Sequence, residues 1–406
     1  MQPTPPVVLR SGNVWDAETR TFVSGLDCLA QDGRFAAVGK HLNVPTGAVE
    51  IDCAGRFILP GLIDCHVHIT SSGEPTEITT GRTEAAPVRA WKAARNAKLT
   101  LGAGFTTVRD LGAPEALNIH LARAIDAGLI PGPRILAAGL GVTMTGGHGH
   151  GFIAREADGP DEVRKAVREQ LRAGAGAIKL FASGGVLTPG VNPRSPSFTE
   201  AELTAGVEEA HKALRTAAAH AQSTEGIKNA IRAGVDSIEH GVWLDEEAIA
   251  LMIQRGTYLV ATLTAPGVMA DGGVEAGIEP YAVEKSNLVL ADHYESFRAA
   301  ARAGVRLAMG TDQGTPLNRP GENAQEIVRM VENGLSPASA ILAATAWAAD
   351  LLQIEVGRIA EARIADAVVL SADPLHDINA LTRTDDIRLV LAGGRIAVRD
   401  GLPTEG

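Results

Sequence analysis

The chain has 406 residues, of which 45% are hydrophobic and 21% charged, so it can form a large barrel with a smaller domain, and wholesale disorder is excluded. The formal net charge of −11, with no Lys or Arg run, argues against a nucleic-acid partner. The three cysteines, Cys28, Cys53 and Cys65, are an odd and sparse set, which indicates a reducing compartment. Because no signal peptide or membrane-length apolar run is visible, we expect a cytoplasmic protein with no membrane partner.

Short strand patterns dominate both ends of the chain. Residues 7–58 contain VVLRSGNVWD, DCLAQDGRFAAVG and VEIDCAGRFILP, which have strand length and β-branched residues between Gly and Asp. The same strand pattern recurs near the C-terminus in ADAVVLSADP and IRLVLAGGRIAVRDG. Since chain termini often lie close together in space, we expect residues 1–58 and 358–406 to form one composite β-domain.

The middle of the chain, residues 59–357, alternates between strand and helix patterns. Helical patterns cover 161–174, 294–304 and 199–215, and the last opens on a capping box of Thr199 and Glu202. The eight predicted strand cores are 58–69, 105–112, 134–141, 177–185, 216–222, 236–241, 257–264 and 306–314. Eight βα units in series predict an α/β fold of the (β/α)8 TIM-barrel type, with a doubly wound open sheet as the alternative.

Candidate metal ligands stand at the ends of several predicted barrel strands. His66 and His68 are two residues apart in IDCHVHIT, so both imidazoles face the same side of the first strand. The residues that end later strands are Lys179, His220, His240 and Asp312. Only a closed barrel brings the C-terminal ends of so many strands to one place. The pattern therefore favours a barrel with a metal centre, while each residue taken singly could be a satisfied polar group of the core.

Seven motifs together resemble the amidohydrolase superfamily over nearly the whole chain. They are LPGLIDCHVHI, GFTTVRDLG, GGHGHG, IKLFASGGV, DSIEHG, GTDQG and IADAVVLSADPL. The pattern is most similar to the Xaa-Pro dipeptidase-like, imidazolonepropionase-related branch. This resemblance implies a (β/α)8 barrel with a β-sandwich built from both chain ends, in agreement with the composite β-domain expected above.

The resemblance also implies a centre of two divalent metal ions, which we expect to be zinc. It assigns His66, His68 and Asp312 to one metal, and His220 and His240 to the other. Lys179 matches a lysine that such enzymes carboxylate, and the resulting N6-carboxylysine bridges both metals. An unmodified lysine is cationic and a poor metal ligand, so the alternative for Lys179 is a buried ion pair, for example with Asp312.

Five further residues are candidates for contact with a small-molecule substrate: His148, His150, Arg109, Arg194 and Gln222. His148 and His150 lie in a Gly-rich loop, and we expect one of them to contact the substrate; the alternatives are a metal role and a flexible loop without function. Arg109 either holds a substrate carboxylate or pairs with a neighbouring strand. The loop 184–198 is either a lid that carries Arg194 or an ordinary surface loop. Relatives often carry His or Tyr at the position of Gln222, so the substrate does not follow by analogy.

The sequence therefore predicts a metal-dependent hydrolase that cleaves the amide bond of a dipeptide or N-acyl amino acid. In the implied mechanism a hydroxide held by the metals attacks the carbonyl, and Asp312 is the catalytic base that passes the proton to the leaving nitrogen. The alternatives are a hydrolase of a lactone, cyclic amide or phosphoester with the same site, and a non-catalytic scaffold. The non-catalytic scaffold is disfavoured because none of the six ligand residues is lost from the sequence. A homo-oligomer is left open.

Overall fold

Strands and helices alternate through the middle of the chain, and strands make up most of both ends. The computed structural model describes residues 5–399 and 402–403. The strands are β1 (Val7–Asp16), β2 (Thr21–Gln31), β3 (Arg34–Gly39), β4 (Val49–Asp52), β5 (Phe57–Pro60), β6 (Leu62–Val67), β7 (Phe105–Asp110), β8 (Arg134–Ala137), β9 (Gly141–Thr143), β10 (Ala154–Glu156), β11 (Ile178–Phe181), β12 (Ala217–Ala221), β13 (Ser237–His240), β14 (Tyr258–Val260), β15 (Ala367–Leu370), β16 (Ile387–Ala392), β17 (Arg395–Arg399) and β18 (Leu402–Pro403).

The helices alternate with the strands along the middle of the chain. The α-helices are α1 (Glu77–Thr83), α2 (Ala86–Gly102), α3 (Leu117–Asp126), α4 (Gly159–Ala173), α5 (Glu200–Lys212), α6 (Thr224–Ala233), α7 (Glu246–Arg255), α8 (Thr264–Gly272), α9 (Pro280–Ala303), α10 (Gln325–Glu332), α11 (Pro337–Ala343) and α12 (Ala346–Leu352). Short 3-10 helices lie at Pro114–Ala116, Val274–Ala276, Ile378–Leu381 and Thr384–Asp386. In the part of the chain that the structure describes, no helix is both long enough and apolar enough to cross a bilayer.

Strands from both chain ends form one nine-stranded sheet, in the order β18-β17-β16-β15-β5-β1-β2-β3 with β4 beside β1. The antiparallel pair of β5 and β15 joins the two ends. Leu9, Ile58 and Val369 belong to one buried core on this sheet. The sheet agrees with a composite domain, whose boundaries at residues 58 and 358 stay a prediction. Residues 1–4, 400–401 and 404–406 of that predicted domain lie outside the described residues.

The middle of the chain forms a closed ring of parallel strands. β6, β7 and β8 form one parallel sheet, and β10-β9-β11-β12-β13-β14 form a second. The Gly176 amide donates to the Ala137 carbonyl at 2.8 Å, which joins β8 to the start of β11. Parallel bridges from Leu307 to β14 and from Gln313 to β6 place residues 306–313 between these two strands. The predicted (β/α)8 barrel is therefore confirmed.

Two predicted barrel strands are organised differently in the structure, and others are shorter than predicted, such as 257–264, where β14 covers only Tyr258–Val260. The pattern 58–69 is two strands, because the chain passes at Gly61 from β5 of the terminal sheet to β6 of the barrel. A Cβ on Gly61 would lie 2.1 Å from Thr106 Oγ1, so this close crossing requires glycine. The pattern 306–314 forms only isolated bridges. Asp312 in this segment has a φ of 58°, which interrupts the extended backbone.

The predicted helices are present, with one important extension. The pattern 199–215 is α5, and the capping box of Thr199 and Glu202 is confirmed. The pattern 294–304 is only the end of α9, a helix of 24 residues. Helices α8 and α9 lie between β14 and residues 306–313, which form the eighth segment of the barrel. The buried apolar residues of both helices cluster with Val186 in the loop after β11. This insertion therefore packs beside the C-terminal end of the barrel.

Candidate metal centre

The six predicted metal-ligand residues come together at the C-terminal ends of the barrel strands. His66 and His68 stand at the end of β6, and the others lie on β11, β12, β13 and the eighth segment. All six side chains line one cavity: His66, His68, Lys179, His220, His240 and Asp312. This end of the barrel is where enzymes with this architecture place their active sites.

The donor atoms are close enough to share metal ions. His66 Nε2 lies 3.4 Å from Asp312 Oδ1, and His68 Nε2 lies 3.2 Å from the same oxygen. Ligand atoms of His66, His240 and Asp312 all lie within 4.8 Å of one another. The ring centroids of His220 and His240 are 4.5 Å apart. Ligands at about 2 Å from one zinc ion stand roughly 3–4 Å from each other, so this donor set fits a metal.

Each histidine at the end of β6 is held by one ring nitrogen, which leaves the other for a metal. His66 Nδ1 donates to Glu239 Oε2 at 2.8 Å, and His68 Nδ1 donates to the Gly112 carbonyl at 2.8 Å. Because the carboxylate and the carbonyl only accept, both Nε2 atoms keep a lone pair, and both lie near Asp312. Such a hydrogen bond on the far nitrogen orients metal-binding histidines.

The histidines of β12 and β13 are fixed in the same way. His240 Nδ1 lies 2.7 Å from Thr262 Oγ1. The Thr262 hydroxyl donates its own proton to the Ala261 carbonyl at 2.6 Å, so it accepts from His240. His220 uses the opposite nitrogen, since its Nε2 donates to the Gly184 carbonyl at 2.9 Å. Each imidazole therefore has one unprotonated nitrogen that could bind a metal.

Burial keeps most of these imidazoles neutral, which is the form that binds metals. Burial, followed by the nearby charge of Lys179, lowers the pKa of His66 to about 4. Burial likewise lowers the pKa of His220 and His240 well below the usual value. His68 differs, because burial is opposed by Asp312 together with Asp110 and the Gly112 carbonyl, and their sum raises the pKa of His68.

Lys179 is a buried amine without a polar partner. Its side chain is 1% exposed, and its ammonium lies 5.5 Å from the centroid of the Phe181 ring. Among the described residues it forms no hydrogen bond and no ion pair within 4.0 Å, so the alternative of a buried pair with Asp312 is not observed. Burial lowers the pKa of Lys179 to about 8. The structure therefore leaves this amine available for modification.

Asp312 is an ionised carboxylate on an unusual backbone. Burial alone would raise its pKa, but His66, His68 and Lys179 hold the pKa of Asp312 well below its usual range. The φ angles of Asp312 and His240 are 58° and 72°, in the left-handed region that non-glycine residues rarely adopt. Backbone strain of this kind is concentrated at functional sites, where the surrounding fold enforces it.

Arg109 does not line the cavity, so its position does not support the predicted contact with a substrate carboxylate. Its side chain is fully buried, and its guanidinium donates to the Cys65 carbonyl at 2.7 Å, to Ser237 Oγ at 3.1 Å and to Glu239 Oε1 at 2.9 Å. Arg109 and His66 hold the pKa of Glu239 at about 2, although burial opposes this. The structure therefore shows the structural role given above as the alternative: Arg109 bonds the Cys65 carbonyl of the neighbouring strand β6, but its ion pair is with Glu239 on β13.

Three buried residues that support the ligands were not predicted as site residues: Asp64, Glu239 and Thr262. Asp64 accepts from the His66 amide at 3.0 Å and from the Thr311 hydroxyl at 2.6 Å, which ties β6 to the eighth segment. A signal for Asp64 and Glu239 was present, because a carboxylate within an apolar strand needs a partner when it is buried. The sequence carries no comparable signal for Thr262.

Only one histidine of the Gly-rich loop lies at the site. His148 lines the cavity, and its ring centroid is 4.5 Å from that of His220. His148 Nδ1 is 2.8 Å from Thr188 Oγ1, and burial lowers the pKa of His148 to about 3. His150 does not line the cavity, and its Nδ1 donates to the Gly147 carbonyl at 2.7 Å. The predicted substrate contact of His150 is therefore not supported by its position.

Of the two remaining predicted substrate contacts, Gln222 lies at the cavity and Arg194 does not. Gln222 lines the cavity, and its buried Oε1 has no hydrogen-bond partner among the described residues. Arg194 is exposed, lies 3.9 Å from the centroid of the Trp243 ring and is 3.4 Å from Asp292, so it does not reach the cavity. The start of the loop 184–198 does border the cavity, whereas Arg194 at its far end points elsewhere.

The cavity wall beyond the ligands is mainly apolar. It includes Phe152, Ile153, Val186, Leu187 and Pro316. Arg82, which the sequence analysis missed, also lines it and lies 5.7 Å from the centroid of the Phe152 ring. A larger cavity of about 960 Å³ lies elsewhere, around Tyr258 and Trp347, and contains none of the six candidate ligands. The chemistry of the smaller cavity, and not its size, marks it as the candidate site.

Comparisons with known proteins agree with the sequence motifs and the fold. A model of the amidohydrolase family matches residues 57–397. Ochratoxinase from Aspergillus niger is 32% identical over 403 residues, which cover 91% of this chain and 82% of that protein.

Two solved structures extend this similarity to the whole fold. A prolidase complexed with N-methylphosphonate-L-proline has a TM-score of 0.89 and 33% identity, over 97% of this chain and 100% of that one. A Xaa-Pro dipeptidase with bound methionine has a TM-score of 0.86 and 32% identity, over 99% of this chain and 100% of that one. The resemblance stated from the sequence motifs is thus confirmed, and the chain belongs to the amidohydrolase family of hydrolases.

Proposed function

We propose that this chain cleaves the amide bond of a dipeptide or an N-acyl amino acid with the help of two divalent metal ions. The observation that carries the proposal is the set of four imidazoles, each fixed by a hydrogen bond through one ring nitrogen, around the Asp312 carboxylate and the buried amine of Lys179. Relatives named prolidase, Xaa-Pro dipeptidase and ochratoxinase support the choice of bond.

The same residues suggest how two metals would be shared. His66, His68 and Asp312 would hold one metal, and His220 and His240 would hold the other. Lys179, as N6-carboxylysine, would be the bridging ligand, and its lowered pKa supports this because only a neutral amine reacts with carbon dioxide. When bound, a zinc pair polarises the substrate carbonyl and lowers the pKa of water.

Asp312 is the residue we propose as catalytic base. Its Oδ1 lies toward His66 and His68, whereas its Oδ2 has no hydrogen bond among the described side chains. Oδ2 can therefore accept the proton of the attacking water and pass it to the leaving nitrogen. The low pKa of Asp312 keeps this oxygen free of a proton before the reaction begins.

The cavity wall gives the substrate its orientation. The Thr188 hydroxyl accepts from the Gly149 amide at 3.0 Å and lies 2.8 Å from His148 Nδ1, so it fixes the His148 ring. We propose that Nε2 of this fixed ring donates to a substrate oxygen. Gln222 offers its unpartnered Oε1 to a substrate amide. Arg82, which has no ion pair among the described residues, is placed to attract a free carboxylate.

A substrate panel with measured metal content tests the proposal. The protein is purified without chelator, supplied with zinc and bicarbonate, and assayed on dipeptides, N-acyl amino acids, their C-terminal amides, lactones, cyclic amides and phosphoesters. We expect about two metals per chain and fastest turnover on apolar dipeptides or N-acyl amino acids that keep a free carboxylate. Metal-loaded protein that cleaves only lactones or phosphoesters would overturn the choice of bond. Protein that takes up no zinc would overturn the metal centre.

A further inference from the structure

A segment of the loop after β11 closes one side of the cavity. Residues 184–191, here called the cover segment, contribute Val186, Leu187 and Thr188 to the cavity wall. Thr188 also contacts the ring of His148, as described above. The position of the cover segment therefore sets both the apolar wall and the orientation of a proposed substrate donor.

A single lysine on the helical insertion holds this segment. Lys285 on α9 donates through Nζ to the carbonyls of Thr188 at 2.7 Å, Val191 at 2.6 Å and Gly185 at 3.3 Å. An ammonium has three donors, so these three carbonyls use all of them. One helical turn earlier, the Tyr281 hydroxyl donates to the Leu187 carbonyl at 3.1 Å.

The charge of Lys285 is compensated at short range by these backbone groups, with a longer-range attraction from Glu284. Within the described parts of the chain no carboxylate lies within 4.0 Å of its ammonium, and the side chain is half-buried. Burial lowers the pKa of Lys285, because the charged form loses solvation. Hydrogen bonds to a charged group are stronger than neutral ones, so the three carbonyls are bound tightly to the helix.

We propose that Lys285 is a positioning residue that fixes the cover segment against α9 and thereby sets the affinity for substrate. The effect on substrate rests on the proposed function, while the clamp itself does not. Lys285 touches none of the six candidate ligands, and its three carbonyls do not include that of Gly184, which holds His220. Its loss should therefore raise KM more than it lowers kcat.

The test compares Lys285→Met, Lys285→Arg and Tyr281→Phe with a control on the same helix. The control is Arg302→Met, which removes an exposed cation whose one ion pair among the described residues is with Glu295. Hydrogen–deuterium exchange of peptides covering 184–191 reports the clamp without any turnover. For Lys285→Met we expect exchange there to be about 10-fold to 100-fold faster, as for a lost charged hydrogen bond. Lys285→Arg should restore part of the protection, and Arg302→Met should match the parent.

The kinetic arm uses whichever substrate of the panel is cleaved fastest. A rise in KM of about 10-fold for Lys285→Met, with a smaller change in kcat, supports the positioning role. A folded Lys285→Met variant with parental exchange at 184–191 overturns the clamp. If Lys285→Met does not fold, the Tyr281→Phe variant decides the test. The proposal then stands only if Tyr281→Phe exchanges faster than the parent in peptides covering 184–191. Inactivity of the parent protein on the entire panel counts against the proposed function alone, since the exchange measurement still decides the clamp.

Discussion

Glu239→Gln should weaken both the fold and the metal centre, because Glu239 is the buried link between Arg109 and His66. Its Oε1 accepts from Arg109 at 2.9 Å and its Oε2 accepts from His66 at 2.8 Å. The three side chains are at most 1% exposed. Glutamine has the same shape but no charge, and its amide nitrogen must face one of the two donors. The guanidinium would then be buried without a counter-charge.

The size of the effect follows from this burial. Breaking a buried ion pair by removing one partner costs about 3–5 kcal/mol. Because glutamine keeps one accepting oxygen, we expect the lower end, a loss of about 3 kcal/mol in the free energy of unfolding. Loss of the group that orients a metal-binding histidine lowers metal affinity or activity about 10-fold to 100-fold, and we expect this for zinc.

Urea unfolding and zinc titration of the purified variant measure both effects. Glu247→Gln is the matched control, since Glu247 is 56% exposed and pairs on the surface with Lys228 and Arg232. Exposed pairs contribute little, so this control should behave like the parent. If Glu239→Gln and Glu247→Gln unfold at the same urea concentration and bind zinc equally well, the linking role of Glu239 is refuted.

Three further predictions address the site and the pH dependence of stability. Lys179→Ala should lose metal and most activity while the circular dichroism spectrum stays native, with partial rescue by short carboxylic acids; full activity would make Lys179 purely structural. Asp312→Asn should lower kcat by at least about 10²-fold with little change in KM, and near-parental turnover in a metal-loaded variant would refute its role as base. Burial raises the pKa of Glu326 from 4.5 to about 7, so the folded chain binds more protons than the unfolded chain between these values, and the free energy of unfolding falls as the pH rises through this range. Glu326→Gln should flatten that slope in urea titrations, and an unchanged slope would contradict the assignment.

Several features of the fold and the site could be predicted because they depend on local spacing. Alternation along a strand places His66 and His68 on one face, and Thr199 with Glu202 marks a helix start in any context. The series of βα units predicted the ring of parallel strands, and that ring brings all six candidate ligands to one cavity. Their binding of metals stays a prediction.

Other assignments could not be made because the partner of a side chain is set by packing between distant strands. Arg109 was as compatible with a substrate carboxylate as with a strand pair until Glu239, 130 residues away, was seen to bind it. Arg194 follows the cavity-lining part of its loop in sequence, yet it lies over Trp243 on the surface.

The sequence by itself therefore predicted the fold class from periodicity, the family from the resemblance of short motifs, and the candidate ligands from their positions at the predicted strand ends. Only the tertiary structure decided which ring nitrogen of each histidine is held by a hydrogen bond, which of His148 and His150 faces the cavity, and that Lys285 holds the cover segment. These depend on hydrogen bonds between groups far apart in sequence. Such bonds have directions and lengths that no spacing pattern encodes, and they exist only once the barrel and its helical insertion are packed together.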